Sequence, residues 1–203
     1  VIGEGGTLIV PTYSYSFCEN QEFDVKNTKS TLGIFSEHVR TLDVVVRSED
    51  PIFSHAAVGK QSKTLLNNVG NECFGKDSFF DRIFKLNGKI INFGRFFDIT
   101  FLHYIEKNYN VTYRCDKKFS GTIIDRAGRK RYEEFIFYAR NSCMDNRKIV
   151  YDMTLLGNEL ERRNLLHRVS LGNSVVLCSK VIDCYSIGME MLKRNKNAFL
   201  KQF

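Results

Sequence analysis

Lys89-Ile90-Ile91-Asn92-Phe93-Gly94, followed shortly by Asp98-Ile99-Thr100-Phe101-Leu102-His103-Tyr104-Ile105-Glu106, is the stretch on which the reading of this sequence turns. The first part is a short β-branched and aromatic run closed by glycine, the pattern of a buried strand. The second carries apolar residues at helical spacing behind a threonine placed to cap a helix. A strand that passes into a helix is one unit of a layered α/β architecture, in which each element buries a face against the next layer.

The pattern recurs upstream. Thr7-Leu8-Ile9-Val10 is an apolar run stopped by Pro11, and Leu42-Asp43-Val44-Val45-Val46-Arg47 is another. Helical periodicity separates them: Ile34, Phe35, His38 and Val39 in one segment, Phe79, Phe80, Ile83 and Phe84 in a second that Asp77-Ser78 opens as an N-cap. Downstream, Thr122-Ile123-Ile124-Asp125 and the run Tyr132 to Tyr138 flank Arg126-Ala127-Gly128-Arg129, which predicts an antiparallel hairpin. From Leu155 the chain reads as helical, with Leu155, Leu156 and Leu160 in one helix and Ile182, Tyr185, Met189, Leu192 and Phe199 in the last. No repeat or linker interrupts it, so residues 1–203 read as one domain.

Composition excludes several classes. With 43% hydrophobic and 26% charged residues and only 2 Pro, disorder and low complexity are out. No apolar run approaches the roughly 18 to 20 residues that span a bilayer, and no signal-peptide pattern is present, so a cytoplasmic location without membrane insertion is expected. The chain opens on Val1 inside a strand approach, which predicts that N-terminal residues are missing. Its 6 cysteines include no CxxC or CxxH pair, so they read as reduced thiols and no metal is expected. Gly3-Glu4-Gly5-Gly6 precedes a strand rather than following one, the reverse of a dinucleotide-binding loop, and reads as a turn.

The net charge is +7, with 19 Lys/Arg against 11 Asp/Glu in residues 101–203 and 11 against 12 in residues 1–100. A basic excess suits nucleic acid, acidic membranes or phosphorylated small molecules. Here the positive residues are interleaved with acids and hydrophobes, and nucleic-acid signatures are absent, so nucleic acid is not an expected partner.

Two segments carry chemistry. Arg47-Ser48-Glu49-Asp50-Pro51-Ile52-Phe53-Ser54-His55-Ala56-Ala57-Val58-Gly59 follows an apolar strand, putting Arg47, Ser48 and Asp50 at its C-terminal end, where open α/β sheets place ligands. The small Ala56, Ala57 and Gly59 permit close approach of another backbone, and the segment reads equally as a structural turn or a ligand loop. In the second segment His103 and Glu106 stand at i and i+3 on one helix face. A carboxylate beside a histidine orients the ring and stabilises the imidazolium, as a general base requires, but the same pair also suits a surface ion pair.

Taken together these motifs resemble the aminoglycoside 3-N-acetyltransferase family of acetyl-CoA-dependent N-acyltransferases, which is distinct from the GNAT acetyltransferases. Gly5-Gly6-Thr7-Leu8-Ile9-Val10-Pro11-Thr12 is similar to the family's G-T-L-hydrophobic-hydrophobic-P-T strand, and Ser30-Thr31-Leu32-Gly33 to its S-x-M-G. Arg47 to Gly59 resembles R-S-x-H-P-x-x-S-x-x-A-x-G, Gly75-Lys76-Asp77-Ser78 resembles G-x-x-S-P, and Thr100-x-x-His103-x-x-Glu106 matches T-x-x-H-x-x-E. Gly172-Asn173-Ser174 with Ile187 to Phe203 fits the closing helix. The family pattern starts well before Val1. In place of the histidine of R-S-x-H-P stands Asp50, which shifts the implied substrate from aminoglycosides toward amino sugars of surface-polysaccharide assembly.

The resemblance implies a layered α/β/α fold with a mixed central sheet and an inserted antiparallel hairpin. It implies acetyl transfer from acetyl-CoA to the amine of an amino sugar, in polysaccharide or nucleotide-sugar biosynthesis, or alternatively to an aminoglycoside antibiotic. His103 would be the general base and Glu106 its partner or a substrate ligand. Asp50 and Asp98 would bind substrate, while Ser30, Thr31, Gly33, Arg47, Ser48 and Ser54 would form the coenzyme side. A non-catalytic sugar or nucleotide binding module of the same fold is the rival class.

Overall fold

The computed structural model describes residues 2–94, 96–141, 150–152 and 154–201. In chain order its elements are β1 (Thr7–Pro11), a 3-10 turn (Ser16–Glu19), β2 (Phe23–Asp24), α1 (Ile34–Arg40), β3 (Val46–Arg47), β4 (His55–Gly59), α2 (Ser62–Leu66) and α3 (Phe79–Lys85). There follow β5 (Lys89–Phe93), α4 (Leu102–Tyr109), β6 (Arg114–Ile124), β7 (Lys130–Arg140), α5 (Thr154–Arg162), β8 (His167–Leu171), β9 (Ser174–Lys180) and α6 (Val181–Arg194). The architecture is layered α/β, and the chain forms two compact units: Val1–Arg82 with Asp116–Tyr138, and Ile83–Cys115 with Ala139–Phe203.

The first unit holds an antiparallel sheet of order β1-β4-β3 and a mixed sheet of order β2-β6-β7, in which β2 runs parallel to β6. The small residues Ala56, Ala57 and Gly59 of the 47–59 segment lie on strand β4. Ala56 and Ala57 are wholly buried between β1 and β3, and a Cβ at Gly59 (φ +124°) would stand 2.3 Å from the Gly6 carbonyl oxygen. Of the strand predicted over Leu42–Arg47 only Val46–Arg47 pairs. The preceding residues make the reversal out of α1, closed by Val45 N–H to the Leu42 carbonyl, and leave Val44 in solvent. Val45 itself turns inward with Val10, Val39 and Ala56 as a small apolar cluster.

Helix α3 starts as the sequence predicts. Ser78 Oγ accepts from Asp81 N–H, and Asp81 Oδ2 accepts in return from Asp77 N–H, so two of the helix's orphan donors are satisfied. The predicted hairpin forms too, with strands of 11 residues each, longer than the hydrophobic runs indicated. Its turn is tied by Asp125 Oδ1, which accepts from Ala127 and Arg129 N–H.

The second unit is an antiparallel sheet of order β5-β9-β8 with α4, α5 and α6. The β8–β9 hairpin is absent from the sequence reading, because every residue of β8 is exposed and the burial alternation that marks a strand is missing. The last helix ends at Arg194. Phe199, read as part of its stripe, is instead wholly buried in a terminal turn whose carbonyl accepts from Asp152 N–H. Helix α6 meets α4 at Gly188, where a Cβ would come 2.8 Å from Ile105 Cδ1, so the glycine sets how closely the two helices approach.

Cys18, Cys73, Cys115, Cys178 and Cys184 are free thiols, and Cys143 lies outside the described residues. Among the described residues no helix is long and apolar enough to cross a membrane.

Candidate active site

The second unit gathers a buried cluster of ionisable side chains on α4. Thr100 does not cap this helix with its hydroxyl. The first turn is closed through backbone, Leu102 N–H to the Ile99 carbonyl and His103 N–H to the Thr100 carbonyl. Leu102, Tyr104 and Ile105 fill the buried face, and Asn110 in the left-handed conformation (φ 61°) ends the helix. The reversal at Asn110 returns the chain alongside α4, so that Tyr113 and Arg114 come back onto Glu106.

Glu106 is fully withdrawn from solvent, and its carboxylate is met by the His103 ring, the Tyr113 hydroxyl and the Arg114 cation. His103 Nδ1 lies 2.8 Å and Arg114 Nε 2.7 Å from Oε2, while the Tyr113 hydroxyl donates to Oε1 at 2.9 Å. A buried carboxylate is tolerable only with such compensation. Arg114 Nη2 reaches the opposite edge of the imidazole, 3.1 Å from His103 Nε2, and its Cζ lies 5.1 Å from the centre of the Tyr151 ring. Arg140 approaches the same ring at 4.6 Å.

The environment acts on His103 from several sides. Burial lowers its pKa first; Glu106 raises it, and the cations Arg114 and Arg140 lower it, with a net downward shift. The ring therefore stands neutral near pH 7, the form a base must have. Burial and the adjacent Glu106 charge push the Tyr113 phenol up, so it remains a donor. The i, i+3 pairing of His103 and Glu106 is thus as the sequence predicted. Tyr113 and Arg114 are not in that reading, although a glutamate on an apolar helix face demands donors, and a Tyr-Arg pair just beyond the helix end supplies them.

The aminoglycoside 3-N-acetyltransferase family model matches residues 1–193. The chain belongs to this family. Membership makes it an acyl-CoA-dependent acetyltransferase with the layered α/β/α fold, mixed sheet and antiparallel hairpin of its structural neighbours. The aminoglycoside acetyltransferase AAC(3)-IVa, solved as a histidine-to-alanine mutant in complex with a gentamicin, is 23% identical at TM-score 0.76, covering 98% of this chain and 73% of that one. AAC-IIIb, a binary complex with CoASH, is 16% identical at TM-score 0.77, over 95% and 79% of the two chains. The YokD protein from Bacillus subtilis is 18% identical at TM-score 0.74, over 96% and 81%. Among curated proteins no sequence is significantly similar.

The other residues expected to bind coenzyme or substrate lie in the first unit, apart from Asp98, which is exposed between β5 and α4. Arg47 is buried on β3 against the Phe23 ring. Its guanidinium donates to the carbonyls of Thr12, Val25 and Thr28 and to the hydroxyls of Thr12 and Ser54. Burial brings its pKa down to about 9. Ser54, fully buried, donates to the Thr12 carbonyl, and Ser48 Oγ accepts from His55 N–H. These three side chains hold strands and loops together, each engaged with buried protein partners.

Asp50 likewise closes its own turn, Oδ1 accepting from Ile52 and Phe53 N–H, with 7% of its surface exposed. Burial pushes its pKa up to about 6. Of the expected coenzyme set only the Ser30–Gly33 turn is open to solvent. There Thr31 N–H and hydroxyl donate to the Tyr13 carbonyl, and Gly33 (φ +95°) leads into α1. A polar cleft of about 370 Å³ in the same unit is lined by Glu49, Asp125, Arg129, Arg131 and Glu133 among others. Its arginines are paired, Arg131 with Glu49 at 2.6 Å and Arg129 with Asp125 at 2.7 Å.

Proposed function

We propose that this protein transfers the acetyl group of acetyl-CoA to an amine of an aminoglycoside, with His103 as the general base and Glu106 as its orienting partner. The observation that carries this reading is the 2.8 Å contact between Nδ1 of a neutral, largely buried histidine and a carboxylate with no access to water. With Nδ1 held by Glu106, Nε2 is the atom that takes the proton. The amine nitrogen attacks the thioester carbonyl, Nε2 receives the proton as the C–N bond forms, and Glu106 stabilises the imidazolium. Collapse then breaks the C–S bond, and the proton passes to the departing coenzyme sulfur.

For the substrate, Asp50, the residue that turns the reading toward polysaccharide amino sugars, accepts from Ile52 and Phe53 N–H within its own turn. The aminoglycosides named with structural neighbours, gentamicin and sisomicin, support the antibiotic reading. Asp98, exposed just ahead of α4, is the acidic group we assign to the polycationic substrate, and the Ser30–Gly33 turn is the part of the family pattern we assign to the coenzyme.

The test follows thiol release from acetyl-CoA with gentamicin, sisomicin and nucleotide-linked amino sugars as acceptors. Turnover with the aminoglycosides, falling by about two to four powers of ten in His103→Ala, is expected. Turnover with the nucleotide-linked sugars alone would return the biosynthetic reading, and an unimpaired His103→Ala enzyme would remove the base.

A further inference from the structure

Arg114 does more than neutralise Glu106. A guanidinium carries only N–H donors and no acceptor, and it stays protonated throughout the pH range of proteins. Its Nη2 stands 3.1 Å from His103 Nε2, so Nε2 must be the lone-pair nitrogen of the ring and Nδ1 must carry the hydrogen donated to Glu106. Arginine chemistry therefore selects the tautomer. The same guanidinium places Nε on Glu106 Oε2, so imidazole, carboxylate and guanidinium close a ring of three contacts of 2.8, 2.7 and 3.1 Å. All three groups are well buried, with side-chain exposures of 16% for His103, 0% for Glu106 and 3% for Arg114.

Resting on the assignment of His103 as base, we propose that Arg114 is the positioning residue of this site. It locks His103 in the Nδ1–H tautomer and fills at Nε2 the N–H donor seat that the substrate amine takes over in the reactive complex. The exchange is like for like, one N–H donor giving way to another, and Tyr151 offers the displaced cation an aromatic face already 5.1 Å from its Cζ. Once the amine proton has moved to Nε2, imidazolium and guanidinium repel each other. The proton is thereby driven on toward the coenzyme sulfur, and His103 returns to its neutral form.

Among the described residues the charged and titratable groups around the ring are Glu106 from α4, Tyr113 and Arg114 at the start of β6, Arg140 from the end of β7, and Tyr151. Of these Glu106 favours the imidazolium. Removing Arg114 should then raise the titration midpoint of His103 by about one pH unit or more.

The experiment uses the whole chain labelled with ¹⁵N. Long-range ¹H–¹⁵N correlation spectra assign the His103 ring by its loss in His103→Gln. Wild type should show the neutral Nδ1–H tautomer, persisting below pH 6.5. In Arg114→Met the midpoint should rise, and the acid limb of the kcat/KM profile should move to higher pH by the same amount, while Arg114→Lys stays nearer to wild type. An Nε2–H tautomer in the wild-type protein overturns the proposal whether or not the variants fold, and so does an unmoved midpoint in Arg114→Met. Full turnover in His103→Ala would defeat the base assignment instead, and the tautomer measurement keeps the two failures apart.

Discussion

Arg47 and Arg114 are both nearly withdrawn from solvent, at 3% and 6% exposure, yet the protein solvates them in different ways. Arg47 is surrounded by neutral oxygens, three backbone carbonyls and two hydroxyls, none of which can change its charge. Arg114 faces a carboxylate and an imidazole, and the imidazole can take up a proton. The first arrangement has one state and works as a clamp between β1, β3 and the Val25–Thr28 loop. The second has several protonation states of differing energy, which is what a site of proton transfer needs. Burial of charge alone therefore does not mark a catalytic centre; the titratability of the partners separates the two arginines.

The largest effect on stability that this comparison predicts is at Arg47. Arg47→Met leaves the carbonyls of Thr12, Val25 and Thr28 without their donor and should cost about 3 to 5 kcal/mol, the scale of breaking a buried charged network, read as a lower urea midpoint. Arg47→Lys should lose nearly as much, since one ammonium cannot span acceptors that a planar fork reaches. A stable Arg47→Lys protein with weakened coenzyme binding would return Arg47 to the coenzyme and dissolve the contrast.

A smaller effect belongs to Asp50, whose pKa is raised to about 6 against an ordinary 3.8. The native chain holds that proton more tightly than the unfolded one, so the group's contribution is fully present below about pH 4. It is lost as pH rises through about 6, where ionisation must take place in a buried turn. Asp50→Asn keeps an acceptor for Ile52 and Phe53 N–H without the charge. It should match wild type near pH 4 and exceed it by roughly 3 kcal/mol at pH 8, on the scale of 1.36 kcal/mol per pKa unit. Unaltered stability with a raised aminoglycoside KM would instead make Asp50 a substrate ligand.

The smallest effect sharpens the other side. Gly188→Ala forces Ile105 aside and should destabilise by about 1 kcal/mol, since the nearest atom is the movable end of a side chain. Because Ile105 precedes Glu106 on α4, turnover should fall several-fold with coenzyme affinity unchanged. Loss of affinity in step with turnover would show that the α4–α6 contact governs more than the base.

Local pattern alone determined much of this protein. The β1 and β5 strands, although both stay largely open to solvent rather than buried as their apolar runs predict, the Ser78 cap of α3, the hairpin around Gly128 and the one-face pairing of His103 with Glu106 depend on interactions within a few residues or on strict periodicity, and both are written in the chain. The T-x-x-H-x-x-E spacing was legible for the same reason: i and i+3 on a helix are neighbours whatever the rest of the fold does. Tertiary structure decided the remainder. The valines of 42–46 carried strand propensity, but only two residues of the run reach β4. The wholly exposed β8 carried no burial signal, and β9 alone holds it in the sheet. Which arginine would be a clamp and which a partner of His103 was decided by the acceptors that distant segments bring to each guanidinium. Arg47 meets carbonyls 19 to 35 residues away, and Arg114 meets a helix face returned to it by the Asn110 turn. A side chain's chemistry is set by the groups that replace its water, and only the folded chain chooses them.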